Sequence, residues 1–326
     1  MHAGNPSLFR ARAGGGWRRA TALFIGFVVV GVAPGCGTDP SHPAASPGPG
    51  FTATRYPIVL TPGFLGFQSI LDAIDYWNGL PEALSEGGAQ VFVTQVSQVN
   101  SSEVRGEQLI RDIEEVLAIT GAPKVNLIGH SQGTLDARYV MGVRPDLLAS
   151  VTSIAGPHRV ALYDDSPDDA AIQLGFALLT GLGDLIGTLS GSTDPNDGRA
   201  AAAFLTGGGL SDFNARFPAG LPADECGEGE PVHDGIPLYS WSGIGQGTVA
   251  LDPLDWLFTT TGKLFGEPND GLVPRCASHF GRVIRDDYVH NHLDEINWTL
   301  GLVPEYETHP TAVFRNHANR LRNAGL

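Results

Sequence analysis

Short apolar segments alternate with helix-like segments between residues 56 and 154, and this alternation constrains the fold more than any other feature of the chain. Each apolar run has about four residues, which is the length of a short buried strand. The runs span residues 57–60, 91–94, 125–128 and 151–154. Strands that alternate with helices form a parallel sheet with helices on both faces. The sequence therefore predicts an α/β fold.

The segments between these strands predict two helices before the third strand. Residues 70–85 are expected to be helical up to the break at Gly87-Gly88. Asn100, three residues before Glu103, is a candidate N-terminal cap for the next helix. That helix is expected to end at Gly121.

Composition and charge exclude several classes of protein. The 326 residues carry 20 Lys and Arg against 35 Asp and Glu, a formal net charge of −15. A phosphate backbone would be repelled by this charge, so no nucleic-acid partner is expected. Hydrophobic residues make up 42% and charged residues 17%, which excludes a disordered chain.

The N-terminus has the pattern of an export leader. Four arginines and no acidic residue precede an apolar run over residues 23–32, which is too short for a membrane span. We predict a signal peptide over residues 1–35, a Pro/Ser/Gly-rich tether over 36–54 and one catalytic domain over 55–326. The protein is expected to be exported, with an extracellular location.

The three cysteines fit an exported chain. Cys36 follows the apolar run, so it is either the acylated cysteine of a lipoprotein anchor or a cysteine without a role behind an ordinary secretory signal. Cys226 and Cys276 remain for the domain, either as two free buried thiols or as a disulfide. A disulfide would close a loop of about 50 residues and contribute about 4 kcal/mol in the loop-entropy view.

Residues 170–189 are strongly apolar and permit two interpretations. One is a core helix. The other is a mobile lid, with flanks extending over about 158–210, whose apolar face meets lipid. Their position on a long excursion from the sheet favours the lid.

A Gly-x-Ser-x-Gly pentapeptide, residues 129–133, joins the third strand to the following helix. This setting is the one that a nucleophilic serine requires, because a strained strand-to-helix turn lifts its hydroxyl above the sheet. Ser131 is therefore the candidate nucleophile. A serine nucleophile needs a histidine base and an acid that orients it, and Asp270 with His292 is one loop-located pair. Spacing alone leaves the base open among the histidines at positions 158, 233, 279, 290, 292, 309 and 317.

Longer co-linear stretches carry a resemblance to a known family. They include residues 56–60, 87–108, 123–131, 138–150, 269–273, 283–297 and 314–326. Over about residues 55–326 the chain resembles the Pseudomonas/Burkholderia-type triacylglycerol lipases of the α/β-hydrolase fold, which carry a helical lid insertion. The resemblance implies Ser131 as nucleophile, His292 as general base and acid, and Asp270 as the orienting carboxylate. It also implies a disulfide between Cys226 and Cys276.

The same resemblance implies an oxyanion hole, a metal and partners. The backbone N–H groups of Phe64 and Gln132 would bind the oxyanion. A structural Ca²⁺ would be held by the carboxylates of Asp252 and Asp294, with carbonyls at Trp298 and Leu302. A lipid or ester substrate at an interface and a lipase-specific steric chaperone are the implied partners, and the enzyme is expected to be a monomer.

The chain departs from the family beside the expected cleft. Pro62 stands where a histidine is usual before the oxyanion glycine, Gln132 replaces another histidine, and Thr134 replaces a glycine. We predict a triacylglycerol lipase that works through an acyl-enzyme. The alternatives are an esterase or polyester depolymerase without interfacial preference, and a non-catalytic lipid-binding module.

Overall fold

The computed structural model describes residues 48–71, 73–159, 170–252 and 254–326. Its strands are β1 (Ile58–Thr61), β2 (Ser69–Ile70), β3 (Ile74–Asp75), β4 (Val91–Val93), β5 (Val125–His130), β6 (Leu148–Ile154), β7 (Val232–His233), β8 (Ile236–Gly243) and β9 (Arg282–Tyr288). Its α-helices are α1 (Leu80–Glu86), α2 (Ser102–Thr120), α3 (Gln132–Val143), α4 (Ala170–Ser190), α5 (Gly198–Phe204), α6 (Gly207–Arg216), α7 (Asp255–Thr261) and α8 (Pro310–Asn323).

The main sheet is almost entirely parallel. Its order is β4-β1-β5-β6-β8, with β9 parallel to the later part of β8 and β7 antiparallel to its start. The four predicted strands are all present, and β5 lies at the centre between β1 and β6. The α/β prediction is confirmed. Because the carboxyl ends of parallel strands meet at one edge, the loops after β1, β5, β8 and β9 can converge there.

Both faces of the sheet are buried, as a parallel sheet requires. In β1, Val59 packs in a cluster with residues of α2 and α3, whereas Ile58 and Leu60 pack in a second cluster with α1 and α8. A third apolar cluster, which includes Phe176 and Phe213, lies under α4, α5 and α6. The first two clusters hold the strands of the sheet from its two faces, and the third cluster holds helices α4, α5 and α6 together.

The predicted helix over residues 70–85 is wrong. A two-stranded hairpin, β2 with β3, occupies its first part, and a helix exists only from Leu80. The backbone is left-handed at Leu71 and Gly79, with φ of 52° and 67°, which a continuous helix cannot contain. Apolar residues of this stretch, among them Trp77, enter the core from a turn.

Two predicted boundaries shift slightly. Helix α2 is capped by Ser101, whose hydroxyl accepts the Val104 N–H, and not by Asn100. The packed domain begins before the expected residue 55. Thr52 is fully buried and bonds Gly87, and the Phe51 carbonyl accepts a hydrogen bond from Asn319 of α8. The last residues assigned to the tether are therefore part of the domain, while residues 1–47 lie outside the described part of the chain.

The apolar segment expected as core helix or lid is helix α4. From Phe176 onward its inner side packs on the third cluster, while its outer side exposes leucine side chains. Those leucines, at helical spacing, are Leu178, Leu182, Leu185 and Leu189. Among the described residues, no helix is both long and apolar enough to cross a membrane.

Candidate active site

Ser131 occupies the tight turn between β5 and α3. Its backbone has φ 52° and ψ −127°, a conformation that non-glycine residues rarely adopt. A Cβ at Gly129 would lie 2.5 Å from the Gly133 carbonyl oxygen, and one at Gly133 would lie 2.6 Å from the Thr61 carbonyl oxygen. Both glycines of the pentapeptide are therefore needed for the close approach of strand and helix. The turn predicted around Ser131 is present.

Asp270 and His292 come from two loops beyond the strand ends and meet in the interior. The His292 Nδ1 atom lies 2.7 Å from an Asp270 carboxylate oxygen, and the His292 N–H donates to the Asp270 carbonyl at 2.9 Å. The other carboxylate oxygen of Asp270 accepts the N–H groups of Leu272 and Val273. Asp270 is fully buried. The carboxylate is thus fixed in one orientation and determines the orientation of the imidazole.

The loop bearing His292 reaches the Ser131 turn through His130. The His130 Nε2 atom lies 3.0 Å from the His292 carbonyl oxygen, and the two imidazole centroids are 4.7 Å apart. His130 immediately precedes Ser131. The structure therefore brings the three predicted residues to the same edge of the sheet.

Three of the other candidate histidines are engaged elsewhere. His158 is buried against Ser153, His317 bonds Thr152, and His279 bonds Asp286 at 2.9 Å. His279 with Asp286 is a second histidine–carboxylate pair, but Arg275 shares that carboxylate at 2.7 Å. The tertiary contacts thus favour His292, a choice that spacing could not make.

The loop after β1 packs directly on the nucleophile. A Cβ at Gly63 would lie 2.7 Å from the Ser131 Cβ. On either side of Phe64, the N–H of Gly63 donates to the Tyr76 hydroxyl and the N–H of Leu65 donates to the Gln98 carbonyl. Gln132, as the first residue of α3, has an N–H without a partner inside the helix. The two amides predicted as oxyanion donors thus flank the nucleophile from a loop and from a helix N-terminus.

A buried arginine, which the sequence did not reveal, holds this loop. The Arg105 guanidinium is fully buried and donates to the carbonyls of Pro62 at 2.7 Å and Gly63 at 3.2 Å. Its Nε atom pairs with Asp136 at 2.8 Å. Arg105 lies within the apolar stripe of α2, where a charged residue usually faces solvent. The Arg105 side chain therefore fixes two carbonyls of the loop that bears the Phe64 N–H.

Glu295 is a second buried carboxyl near Asp270, and the sequence analysis also missed it. Its Oε1 accepts the Gly243 N–H at 2.7 Å, and its side chain is only 2% exposed. Burial, together with the neighbouring charge and hydrogen bond of Asp270, raises the pKa of Glu295 well above its usual value. The shift favours the protonated form of Glu295, whose Oε2 atom has no hydrogen-bond partner among the described residues. It lies three residues after His292, so helical spacing could have suggested it.

The two predicted metal-binding carboxylates are close together and incompletely bonded. Asp252 and Asp294 are 5% and 1% exposed. Among the described residues, neither Oδ2 of Asp252 nor Oδ1 of Asp294 has a hydrogen-bond partner. Both oxygens of the neighbouring Asp255, by contrast, are bonded, to Asn291 and Val249. Unpaired buried carboxylate oxygens are costly, so a cation between Asp252 and Asp294 fits this part of the molecule.

Burial and mutual repulsion affect the titration of this pair. The pKa of Asp294 is raised to about 7 by burial, and the charges of Asp255 and Asp252 contribute. No group of three or more His, Cys, Asp and Glu side chains arranged for a metal occurs within the described residues. A cation here would therefore take two carboxylates and complete its shell with carbonyls, and Trp298 and Leu302 lie in the loop that follows Asp294.

Cys226 and Cys276 form a disulfide across 50 residues of sequence, with their Cα atoms 4.6 Å apart. The two-free-thiol alternative is therefore excluded. Cys36 and the predicted leader lie outside the described residues, as do residues 160–169 of the predicted lid region.

Comparisons with known proteins identify the family. Residues 56–218 match the family described as alpha/beta hydrolase fold. The chain is 50% identical to a triacylglycerol lipase of Vibrio cholerae over 85% of its length and 91% of the relative. This chain belongs to the bacterial triacylglycerol lipase family. A triacylglycerol lipase of Pseudomonas fragi is 39% identical over 84% of this chain and 98% of the relative, and one of Burkholderia plantarii is 37% identical over 89% and 92%. The family resemblance seen in the sequence is confirmed.

Solved structures agree on the fold of this lipase family member. A mature Bacillus licheniformis lipase superimposes with a TM-score of 0.53, covering 88% of this chain and 96% of that chain at 15% identity. A metagenomic carboxyl esterase gives 0.57, covering 86% and 80% at 17% identity. At these identities the likeness supports the α/β-hydrolase fold alone.

Proposed function

We propose that the chain is a triacylglycerol lipase in which Ser131, His292 and Asp270 form the catalytic triad. The observation that carries the proposal is the joint placement of a strained Ser131 turn and a buried Asp270–His292 pair at one sheet edge. The relatives named triacylglycerol lipase support ester hydrolysis as the reaction.

In the proposed reaction, His292 accepts the Ser131 proton as the hydroxyl oxygen attacks the ester carbonyl. Asp270 holds the ring so that Nδ1 carries its proton and Nε2 serves as the base. The N–H groups of Phe64 and Gln132 stabilise the oxyanion of the tetrahedral intermediate. The alcohol departs with the proton from His292. Water then attacks the acyl-enzyme in the same way and releases the fatty acid.

The exposed leucines of helix α4 support the proposal that the substrate is presented at a lipid–water interface. Its four exposed leucines form one stripe, and Phe176 on its inner side contacts Phe64 of the oxyanion loop with ring centroids 6.4 Å apart. An exposed apolar stripe on a monomer marks a surface that meets lipid or a partner. We infer that α4 is the lid, with its outer face directed to lipid.

We also propose a structural Ca²⁺ between Asp252 and Asp294, with carbonyls of Trp298 and Leu302. When bound, the ion supplies charge neutralisation and a tether between two loops. The chain's own residues perform every chemical step. Because Asp294 is two residues beyond His292, the ion would act on catalysis through the position of the base.

We also propose that the protein is exported, with anchoring and assembly as the sequence suggests. The basic and apolar leader supports secretion, and the Cys226–Cys276 disulfide fits an oxidising compartment. Anchoring through Cys36, dependence on a steric chaperone and a monomeric state rest on the sequence and the resemblance. The mass of the mature protein purified from cells tests the anchor, since acylation of Cys36 adds the mass of its lipid. Refolding from urea with Ca²⁺ tests the chaperone, because spontaneous recovery of activity would contradict the dependence.

The decisive experiment compares emulsified long-chain triacylglycerol with a dissolved butyrate ester, using wild type and Ser131→Ala in the presence of Ca²⁺. We expect activity on both substrates, a higher rate on the emulsion, and loss of both in the variant. Activity on the dissolved ester alone would favour the esterase. Folded protein without Ser131-dependent activity on either substrate would contradict the enzyme assignment.

A second comparison tests α4 as the lid. Leu178→Ser combined with Leu185→Ser should reduce activity on the emulsion about tenfold and leave activity on the dissolved ester within twofold, because only interfacial contact loses apolar area. Val143→Ser, at an exposed apolar residue outside α4, is the matched control. An equal loss on both substrates would exclude a lipid-facing role.

A further inference from the structure

Four groups beneath the nucleophile form an unbroken chain of buried hydrogen bonds. The Gly63 N–H donates to the Tyr76 hydroxyl at 2.9 Å, and that hydroxyl lies 2.7 Å from Nδ1 of His130. On the other side of the ring, Nε2 of His130 lies 3.0 Å from the His292 carbonyl oxygen. Tyr76 is 6% exposed and His130 is fully buried. The chain therefore begins at the oxyanion loop and ends at the backbone of the proposed base.

The end groups determine the direction of every hydrogen bond. A carbonyl only accepts, so His130 must carry its proton on Nε2 and donate it to His292. Nδ1 of the neutral ring is then an acceptor, and the Tyr76 hydroxyl donates to it. The same hydroxyl oxygen accepts from Gly63. No other arrangement of protons satisfies all four groups.

Electrostatics maintain this neutral state. Burial, with a further contribution from His292, lowers the pKa of His130 well below its usual value. Burial also raises the pKa of the Tyr76 hydroxyl. A protonated His130 would present an N–H to Tyr76 in place of an acceptor. Both shifts favour the neutral forms of Tyr76 and His130 that this chain of hydrogen bonds requires.

We propose that Tyr76 and His130 are positioning residues for hydrolysis, which hold the oxyanion loop and the His292 backbone in register around Ser131. The inference rests on the proposed triad. Neither side chain contacts the reacting atoms in this mechanism. Tyr76 bonds the oxyanion loop, and His130 bonds the backbone of His292. The relative placement of these two segments decides whether the oxyanion donors and the base can act on the same substrate.

The first test is Tyr76→Phe, which removes one oxygen and breaks the chain on both sides of it. On the dissolved butyrate ester we expect kcat to fall about 10- to 100-fold while KM stays within twofold, as a small misplacement of catalytic groups would produce. The affinity for a boronic acid transition-state analogue should fall by the same factor as kcat/KM. Tyr239→Phe is the matched control, because Tyr239 is also buried and its ring also contacts a histidine ring, that of His317.

The second test separates the two halves of the chain at His130. His130→Phe keeps a ring and removes both nitrogens, and we expect a loss of kcat at least as large as that of Tyr76→Phe. His130→Gln places an amide where Nε2 lies and should restore about tenfold of that loss through the His292 carbonyl. Circular dichroism and thermal unfolding would establish the folded fraction of each variant, and kcat would be expressed per folded molecule.

The outcomes are distinct. Wild-type kcat per folded molecule in Tyr76→Phe, or equal kcat in the His130 variants and wild type, would overturn the positioning role. Ser131→Ala and His292→Ala are measured alongside. If Ser131→Ala retains activity, the proposed triad itself fails. If both abolish activity while Tyr76→Phe does not, only the positioning role fails.

Discussion

Asp270 and Asp294 are both buried carboxylates on the loops that hold His292, yet their oxygens are satisfied differently. Asp270 accepts two backbone N–H groups on one oxygen and His292 on the other. Asp294 bonds Asn291 and Thr248 through one oxygen, while its other oxygen has no partner among the described residues. The protein completes the first site with its own donors. The second site lacks a donor among the described residues, and the proposed Ca²⁺ would meet that need.

The difference separates two kinds of buried charge. A carboxylate whose bonds are all internal acts on its neighbour, here by orienting an imidazole. A carboxylate with an unpaired oxygen can act by binding a cation, and the stability of the fold around it then depends on solution conditions. Four predictions test this distinction, in order of decreasing effect on activity.

Asp270→Asn should have the largest effect. The asparagine amide would donate toward Nδ1 and favour the wrong tautomer of His292, so kcat on the dissolved ester should fall about 10³- to 10⁴-fold. Asp286→Asn, at the His279 pair, should leave kcat within threefold. Steady-state kinetics on both variants measure this. A small effect at Asp270 with a large one at Asp286 would reverse the choice between the two histidine–carboxylate pairs.

Removal of calcium should have the next largest effect. A chelator is expected to lower activity about 10- to 100-fold and to lower the midpoint of thermal unfolding, because the His292 loop loses its tether. The double variant Asp252→Asn, Asp294→Asn should lose calcium dependence altogether. Calorimetry with and without Ca²⁺ measures the unfolding midpoints of the wild type and of the double variant. Identical unfolding midpoints for wild type in chelator and in Ca²⁺ would exclude the site.

Two substitutions at Glu295 test whether its side chain acts as a neutral acid or as a charged carboxylate. Glu295→Gln retains the acceptor for the Gly243 N–H and carries no charge, so kcat should stay within about threefold of wild type. Glu295→Ala leaves the buried Gly243 N–H without its acceptor, and kcat should fall about tenfold. The ratio of the two variants is the measurement. Equal losses would indicate that Glu295 acts through its charge.

Asp112 provides a buried carboxyl away from the triad. Burial raises its pKa to about 8, against a partly opposing hydrogen bond from the Gln95 N–H. The folded state therefore holds this proton more tightly than the unfolded state does, and the stabilisation is lost as pH rises from about 4 to 8. Asp112→Asn should flatten that decline in the free energy of unfolding and leave kcat unchanged. Urea unfolding at pH 5 and pH 8 measures it, and an unchanged slope would contradict the shift.

Much of the fold was predictable because local patterns and tertiary structure agree there. The four apolar runs became strands, and Gly121 ended α2 in a left-handed conformation, as a glycine after a helix often does. The helix predicted over residues 70–85 failed because a left-handed Leu71 and the packing of Trp77 favour a hairpin and turn. Apolar spacing alone does not distinguish these two uses of the same residues.

The residues of the candidate site also differ in how far the sequence could locate them. Ser131 could be located from the pentapeptide and its neighbours, since the strain, the two glycines and the helix start all lie within five residues. Asp270 and His292 were two of many loop residues until the family resemblance selected them. Tyr76 and Arg105 gave no local signal, because each acts through a backbone group distant in sequence.

The sequence by itself determined the sheet, the tight turn at Ser131 and the family, because strand length, helix period and the serine turn are encoded by residues that are near one another along the chain. Only the tertiary structure decided which buried oxygens remain unpaired, and that Tyr76 and His130 connect the oxyanion loop to the His292 loop. Those relations depend on hydrogen bonds between atoms of different loops, and such bonds exist only after the parallel strands have brought their ends to a common edge.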